Sequence, residues 1–166
     1  MADELNNPDA VIALFEEATE ANLDASCRKG SIDEISAPGN LIATGDLHDN
    51  PMHFQRLIEL ANLGDDPGDT PRKHLTLHEL IHSDRLINGM DFSYRMLAKV
   101  ARLKAKFPEY VHILIANHEM AQMLNNHASI TQAIFLQKSW KLTHQLWLKS
   151  TLCYKTLKEQ ESLEVA

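Results

Sequence analysis

Apolar and polar residues alternate along the first two thirds of the chain in a way that predicts helices and strands in turn. Asn7-Pro8-Asp9 puts a capping side chain before a proline suited to a first helical position. Val11, Ile12, Phe15 and Ala18 then follow at helical spacing, so the first twenty-odd residues read as an amphipathic helix. After Gly30, Ser31 to Ile35 reads as a short edge strand, and Ala37-Pro38-Gly39 as a turn. Leu41-Ile42-Ala43-Thr44 is an apolar run consistent with a buried strand that stops at Gly45. Asn50-Pro51 repeats the cap-plus-proline start. The helix it opens carries Phe54, Leu57, Ile58 and Ala61 on one face and is expected to end near Gly64.

Residues 65 to 72, with two prolines and one glycine, read as a loop. His74 to Glu79 alternates as a strand does, with Leu75 and Leu77 on one side and His74, Thr76 and His78 on the other. Asp91 or Ser93 can cap a third helix, with Phe92, Met96, Val100, Leu103 and Phe107 on its buried face and Pro108 as its stop. Tyr110 to Ala116 is the strongest strand pattern in the sequence. Strand, helix, strand, helix, strand predicts an α/β fold whose parallel sheet is linked by right-handed crossovers. From Ala128 onward a stretch without glycine or proline carries Ile130, Ile134, Phe135, Trp140, Leu146, Trp147, Leu152 and Leu157, which reads as one long helix or two joined ones. The expected division is an N-terminal helix in 1–30, an α/β core in 31–126 and a helical tail in 127–166.

Composition narrows the classes of function. The 166 residues include 16 Lys+Arg and 23 Asp+Glu, a formal charge of −7, which argues against a nucleic-acid coat or a basic membrane-surface module. With 44% hydrophobic residues the chain falls in the range of ordinary globular proteins. Cys27 and Cys153 lie far apart and form no CxxC pair, so neither a disulfide framework nor a thiolate zinc knuckle is indicated. An acidic, polar start without an apolar run, and no stretch of about 18 apolar residues, predict a cytoplasmic, soluble protein. The apolar tail, with Trp140 and Trp147, is the expected surface for packing or homo-oligomer formation.

The chemistry concentrates at strand ends. Each expected parallel strand is followed at once by metal-competent side chains: Gly45-Asp46-Leu47-His48-Asp49-Asn50, then His78-Glu79, then Asn117-His118-Glu119. In an open parallel sheet the carboxyl ends of the strands share one edge, where such folds bind ligands. An oxygen and imidazole set without sulfur suits Mn, Fe or Zn in a hydrolytic site. Two such ions about 3.5–4 Å apart clamp the attacking and leaving oxygens of a phosphoryl transfer and need a carboxylate between them. The other histidines of this region, His53, His74 and His112, read as surface or partly buried residues without function.

Gly45-Asp46-Leu47-His48-Asp49-Asn50 and Ala116-Asn117-His118-Glu119, with a strand between them, resemble the first and third motifs of the calcineurin-like metallophosphoesterases, the superfamily of the serine/threonine protein phosphatases. The resemblance covers about residues 40 to 124. It implies half of that family's sandwich, two divalent metal ions and a phosphate-ester substrate. Asp46 and His48 would hold the first metal, Glu79 would bridge, and Asn117 would hold the second. His118 would be the general acid at the leaving oxygen, with Asp84 as its catalytic companion, and Asn50 and Arg85 would contact phosphate.

The chain also departs from that pattern. Where the family has Gly-Asp-x-x-Asp-Arg, the sequence reads His78-Glu79-Leu80-Ile81-His82-Ser83-Asp84-Arg85, so Glu79 stands for the bridging aspartate and the Asp-Arg pair arrives two residues late. The Gly-His and Gly-x-His pairs of the family's second half have no counterpart, and the chain reads as the family's first half with a different tail. Two alternatives follow. One is a non-catalytic remnant of that fold acting as an interaction module. The other is a zinc protease using His78-Glu79-Leu80-Ile81-His82 as His-Glu-x-x-His, which needs a helix to put both imidazoles on one face.

Overall fold

The computed structural model describes residues 4–36, 39–66, 68–81, 87–88 and 91–123. A single 3-10 turn (Glu4–Asn6) leads into helix α1 (Pro8–Asp24). Asn7 is extended, and its Oδ1 accepts the Asp9 N–H at 3.0 Å, so the expected cap forms with Pro8 already locked at a helical φ. Val11, Leu14, Phe15 and Ala18 make the buried stripe. Truncating Phe15, which is completely buried, would cost about 3–5 kcal/mol.

The segment expected as one edge strand is instead the second arm of a hairpin. Strands β1 (Arg28–Lys29) and β2 (Ile32–Asp33) pair antiparallel in their own small sheet. Gly30 at φ +64° reverses the chain between them, a conformation that costs glycine little.

The main sheet contains β3 (Leu41–Ile42), β4 (His74–His78) and β5 (Val111–Leu114), all parallel, in the order β3-β4-β5. Helix α2 (Pro51–Ala61) connects the first pair and α3 (Tyr94–Lys106) the second, while α4 (Asn117–Met123) follows β5. The mixed α/β architecture with a parallel sheet is therefore as the pattern predicts. Ile42, Leu75 and Val111 lie in register, and Leu75, Leu77 and Val111 join the same core as α1, α2 and α3. The N-terminal helix thus shares the core of the sheet.

Three boundaries differ from expectation, each for a local reason. β3 is two residues long rather than four. Thr44 turns to side-chain bonding, donating its hydroxyl to the Thr76 carbonyl at 2.8 Å and its N–H to the Thr76 hydroxyl at 3.3 Å, and pairing resumes only at a single parallel bridge between Asp46 and His78. α2 ends at Asn62, which takes the left-handed cap position (φ 57°), instead of near Gly64. Asparagine is the next-best residue for that geometry. Ser93 precedes α3 without a side-chain cap; Asp91 Oδ1 accepts the Ser93 N–H at 2.7 Å. Among the described residues no helix is long and apolar enough to cross a membrane. The expected helical tail, including Trp140 and Trp147, lies outside the described residues.

Candidate metal centre

At the carboxyl end of the sheet the chain alternates core anchors with polar residues. Leu47, Leu80 and Ile81 are buried and pull two loops onto the core, so their neighbours Asp46, His48 and Glu79 are presented at the rim. The loops are then joined through the backbone. Leu47 N–H donates to the His78 carbonyl at 2.9 Å, His48 N–H to the Glu79 carbonyl at 2.9 Å, and Asp49 N–H to the Leu80 carbonyl at 3.0 Å.

Three rim residues stand in the left-handed region without being glycine: His48 (φ 48°), Asp49 (φ 47°) and Glu79 (φ 45°). For a residue with a Cβ this costs roughly 1–2 kcal/mol. Such conformations persist where the surroundings over-determine them, and they cluster at functional sites. Here the loop-to-loop hydrogen bonds are the over-determining element.

The side chains meet at a particular spacing. His48 Nε2 lies 3.6 Å from Asp46 Oδ2 and 3.5 Å from Glu79 Oε1, and His118 Nε2 is also 3.5 Å from Glu79 Oε1. These separations are too long for good hydrogen bonds. Ligand atoms about 2.1 Å from a tetrahedral cation stand about 3.4 Å from one another, which is close to the spacing seen. Asp46, His48 and Glu79 each offer an atom within 4.8 Å of the other two. Glu79 is buried, its side chain 8% exposed, whereas Asp46 is half exposed and faces solvent.

His78, closing β4, donates from Nδ1 to Asp46 Oδ1 at 2.8 Å. That hydrogen bond, first among the influences on it, holds the Asp46 carboxyl below the usual aspartate range and keeps it anionic. The other oxygen, Oδ2, is the one that faces His48.

The remaining expected site residues are placed as follows. Asn117 opens α4, exposed, one residue before His118. Asn50 is the N-cap of α2 and uses its Oδ1 to accept the His53 N–H at 3.0 Å. Asp84 and Arg85 lie outside the described residues, as does His82. The helix that the His-Glu-x-x-His reading requires is not present at its first two positions, because His78 ends a strand and Glu79 has a left-handed backbone.

One residue of the third motif has a part that its sequence position alone did not suggest. Glu119 is 1% exposed, and its Oε1 accepts the N–H groups of Leu80 at 2.7 Å and Ile81 at 3.2 Å. Its Oε2 accepts the Ala116 N–H at 3.2 Å. The carboxylate thereby ties the loop that carries Glu79 to the start of the helix that carries His118. The detectable signal is the capping-box interval: Ala116 is the residue before α4, and Glu119 stands three residues later.

His112 also departs from expectation. It is 3% exposed rather than a surface or partly buried residue, with Nδ1 2.8 Å from Asp33 Oδ2 and Nε2 3.0 Å from His74 Nδ1. This second polar cluster lies at the opposite end of the sheet. No protein-family model matches the chain, and no curated protein matches it.

Proposed function

We propose that the chain is a metal-dependent phosphoesterase-like hydrolase whose site is the rim formed by Asp46, His48, Glu79 and His118. The observation that carries this reading is the spacing: imidazole and carboxylate atoms from two loops and the start of α4 stand at 3.5–3.6 Å, as ligands do and hydrogen-bond partners do not. Strained backbone at His48 and Glu79 supports it as well. The resemblance of residues 40–124 to the calcineurin-like metallophosphoesterases supplies the substrate class and the reading of the sheet as the first half of that family's sandwich.

Two carboxylates and an imidazole, with no sulfur, fit manganese, iron or zinc. A divalent cation bound there would polarise a phosphoryl oxygen and lower the pKa of adjacent water. Asp46, His48 and Glu79 would hold it; among the described residues this rim has one such group of three, which suits one ion better than two. Asp46 is oriented by His78, and Glu79 by the loop that Glu119 clamps. His118, 3.5 Å from Glu79, stands beside the cluster where a proton can be delivered to a departing alkoxide.

The test is manganese-dependent release of nitrophenol from nitrophenyl phosphate by the full chain. Asp46→Asn is expected to remove both turnover and metal binding, and His118→Asn to remove turnover while metal binding remains. Absence of turnover from the metal-loaded chain would overturn the hydrolase reading and leave the binding-module alternative.

A further inference from the structure

The cluster at the amino end of the sheet has a composition unlike that of the rim. The β1–β2 hairpin sits over the first residues of β4 and β5, bringing Cys27 and Asp33 to His112. One atom from each of these three side chains lies within 4.8 Å of the other two. Asp33 and His112 are already in contact at 2.8 Å, and the His112 ring is almost fully buried.

We propose that Cys27, Asp33 and His112 form a second metal site, selective for a thiophilic transition metal of the zinc class. Sulfur, imidazole nitrogen and carboxylate oxygen are three ligand types found at zinc, and three protein ligands leave a fourth position for water or an exogenous donor. The site is independent of the rim chemistry and goes beyond it.

Its hydrogen bonds already have the form a metal site needs. The Asp33–His112 contact is made through His112 Nδ1, so a cation between them takes the place of the proton they share. His112 then keeps its proton on Nε2 and donates it to His74 Nδ1 at the present 3.0 Å. Burial pushes the His74 ring toward its neutral form, and so does the neighbouring His112, which suits it to accept. Asp33 has an oxygen to spare: Oδ1 takes the Arg28 guanidinium at 3.2 Å, while Oδ2 faces His112. The backbone that carries Cys27 is anchored by Glu109, whose carboxylate accepts the Ser26 N–H at 2.6 Å and the Cys27 N–H at 3.0 Å.

Charge determines which metal. Arg28 stands against Asp33, and Lys104 lies buried nearby with its ammonium on the Pro108 and Val111 carbonyls at 2.7 and 2.8 Å. Two fixed cations disfavour magnesium or calcium, which are bound by charge and several oxygens. A zinc-class ion gains instead from its bonds to sulfur and nitrogen.

Cobalt(II) titration of the full-length Cys153→Ser chain tests the proposal, because a thiolate-to-cobalt charge-transfer band then reports on Cys27 alone. The expected result is a band that saturates at one equivalent, is abolished by zinc and not by magnesium, and persists in Asp46→Asn. His112→Gln, with its fold checked by circular dichroism, should weaken cobalt binding by at least about tenfold. Absence of the band in the folded Cys153→Ser chain overturns the proposal. So does a band of unchanged affinity in folded His112→Gln, which would mean adventitious binding to the thiol.

Discussion

At the carboxyl end of the parallel sheet, Asp46, His48 and Glu79 stand apart at 3.5–3.6 Å on a backbone bent into the left-handed region. At the amino end, Asp33 and His112 touch at 2.8 Å, and among Cys27, Asp33, His74 and His112 no residue has a positive φ. Aspartate and histidine occur at both ends, yet the rim keeps His48 at a distance from its two carboxylates while the amino end lets Asp33 and His112 bond. The difference teaches how a fold separates a poised site from a satisfied one. A poised site requires backbone that is forced and clamped from outside, and in this molecule the clamp is Glu119.

Removing that clamp should have the largest effect. Glu119→Ala leaves three buried N–H groups, those of Leu80, Ile81 and Ala116, without their acceptor. We expect a loss of about 3–5 kcal/mol in urea denaturation, since each orphaned buried donor costs about 1–3 kcal/mol with partial recovery by water. Glu119→Gln keeps an amide oxygen for Leu80 and Ile81 and should cost about half as much. A loss under about 1 kcal/mol in Glu119→Ala would mean that the rim does not depend on this carboxylate.

The sign of the next effect should differ between the ends. Asp33→Ala strands the Arg28 guanidinium and opens the His112 contact, both shielded from solvent, and should destabilise by about 2–4 kcal/mol. Glu79→Gly relieves the left-handed strain and removes a buried carboxylate, so the metal-free chain should gain about 1 kcal/mol. Thermal unfolding of the two variants checks this. Equal destabilisation by both would erase the contrast.

Metal should move stability in step. Manganese at a hundredfold excess over its dissociation constant should add about 2.7 kcal/mol to the wild-type chain and nothing to Glu79→Gly. A calorimetric scan with and without the ion would show it.

The smallest effect separates a cap from a contact. Asn50→Ala should cost about 1 kcal/mol through loss of the α2 cap. Asn50→Ser keeps a capping oxygen, so any rise in KM for nitrophenyl phosphate in that variant reports on phosphate contact rather than on stability.

Much of the frame was legible in the residue pattern. Asn7-Pro8 and Asn50-Pro51 start helices where they should, because a cap and a locked φ are local properties. The alternation in His74 to His78 placed Leu75 and Leu77 in the core and the polar side chains away from it. Convergence of Asp46, His48 and Glu79 followed from parallel topology alone. What escaped the pattern was non-local. No glycine marks the left-handed turns at His48, Asp49 and Glu79, because loop-to-loop hydrogen bonds impose them. Thr44 ends β3 through a partner 32 residues away, and His112 is buried by a hairpin whose position depends on Glu109. Lys104, on the buried face of α3, is accommodated only because two carbonyls, of Pro108 and Val111, meet its ammonium.

The proposed site rests on two loops, one carrying Asp46 and His48 and the other Glu79, presenting their ligand atoms to one cation. Electron paramagnetic resonance of manganese(II) added to the full chain counts the ion left free in solution, and manganese avoids the sulfur-containing cluster. We predict one tightly bound manganese per chain, released in Glu79→Gln and in His48→Ala. Manganese that stays entirely free, or that binds equally well to both variants, would contradict the account.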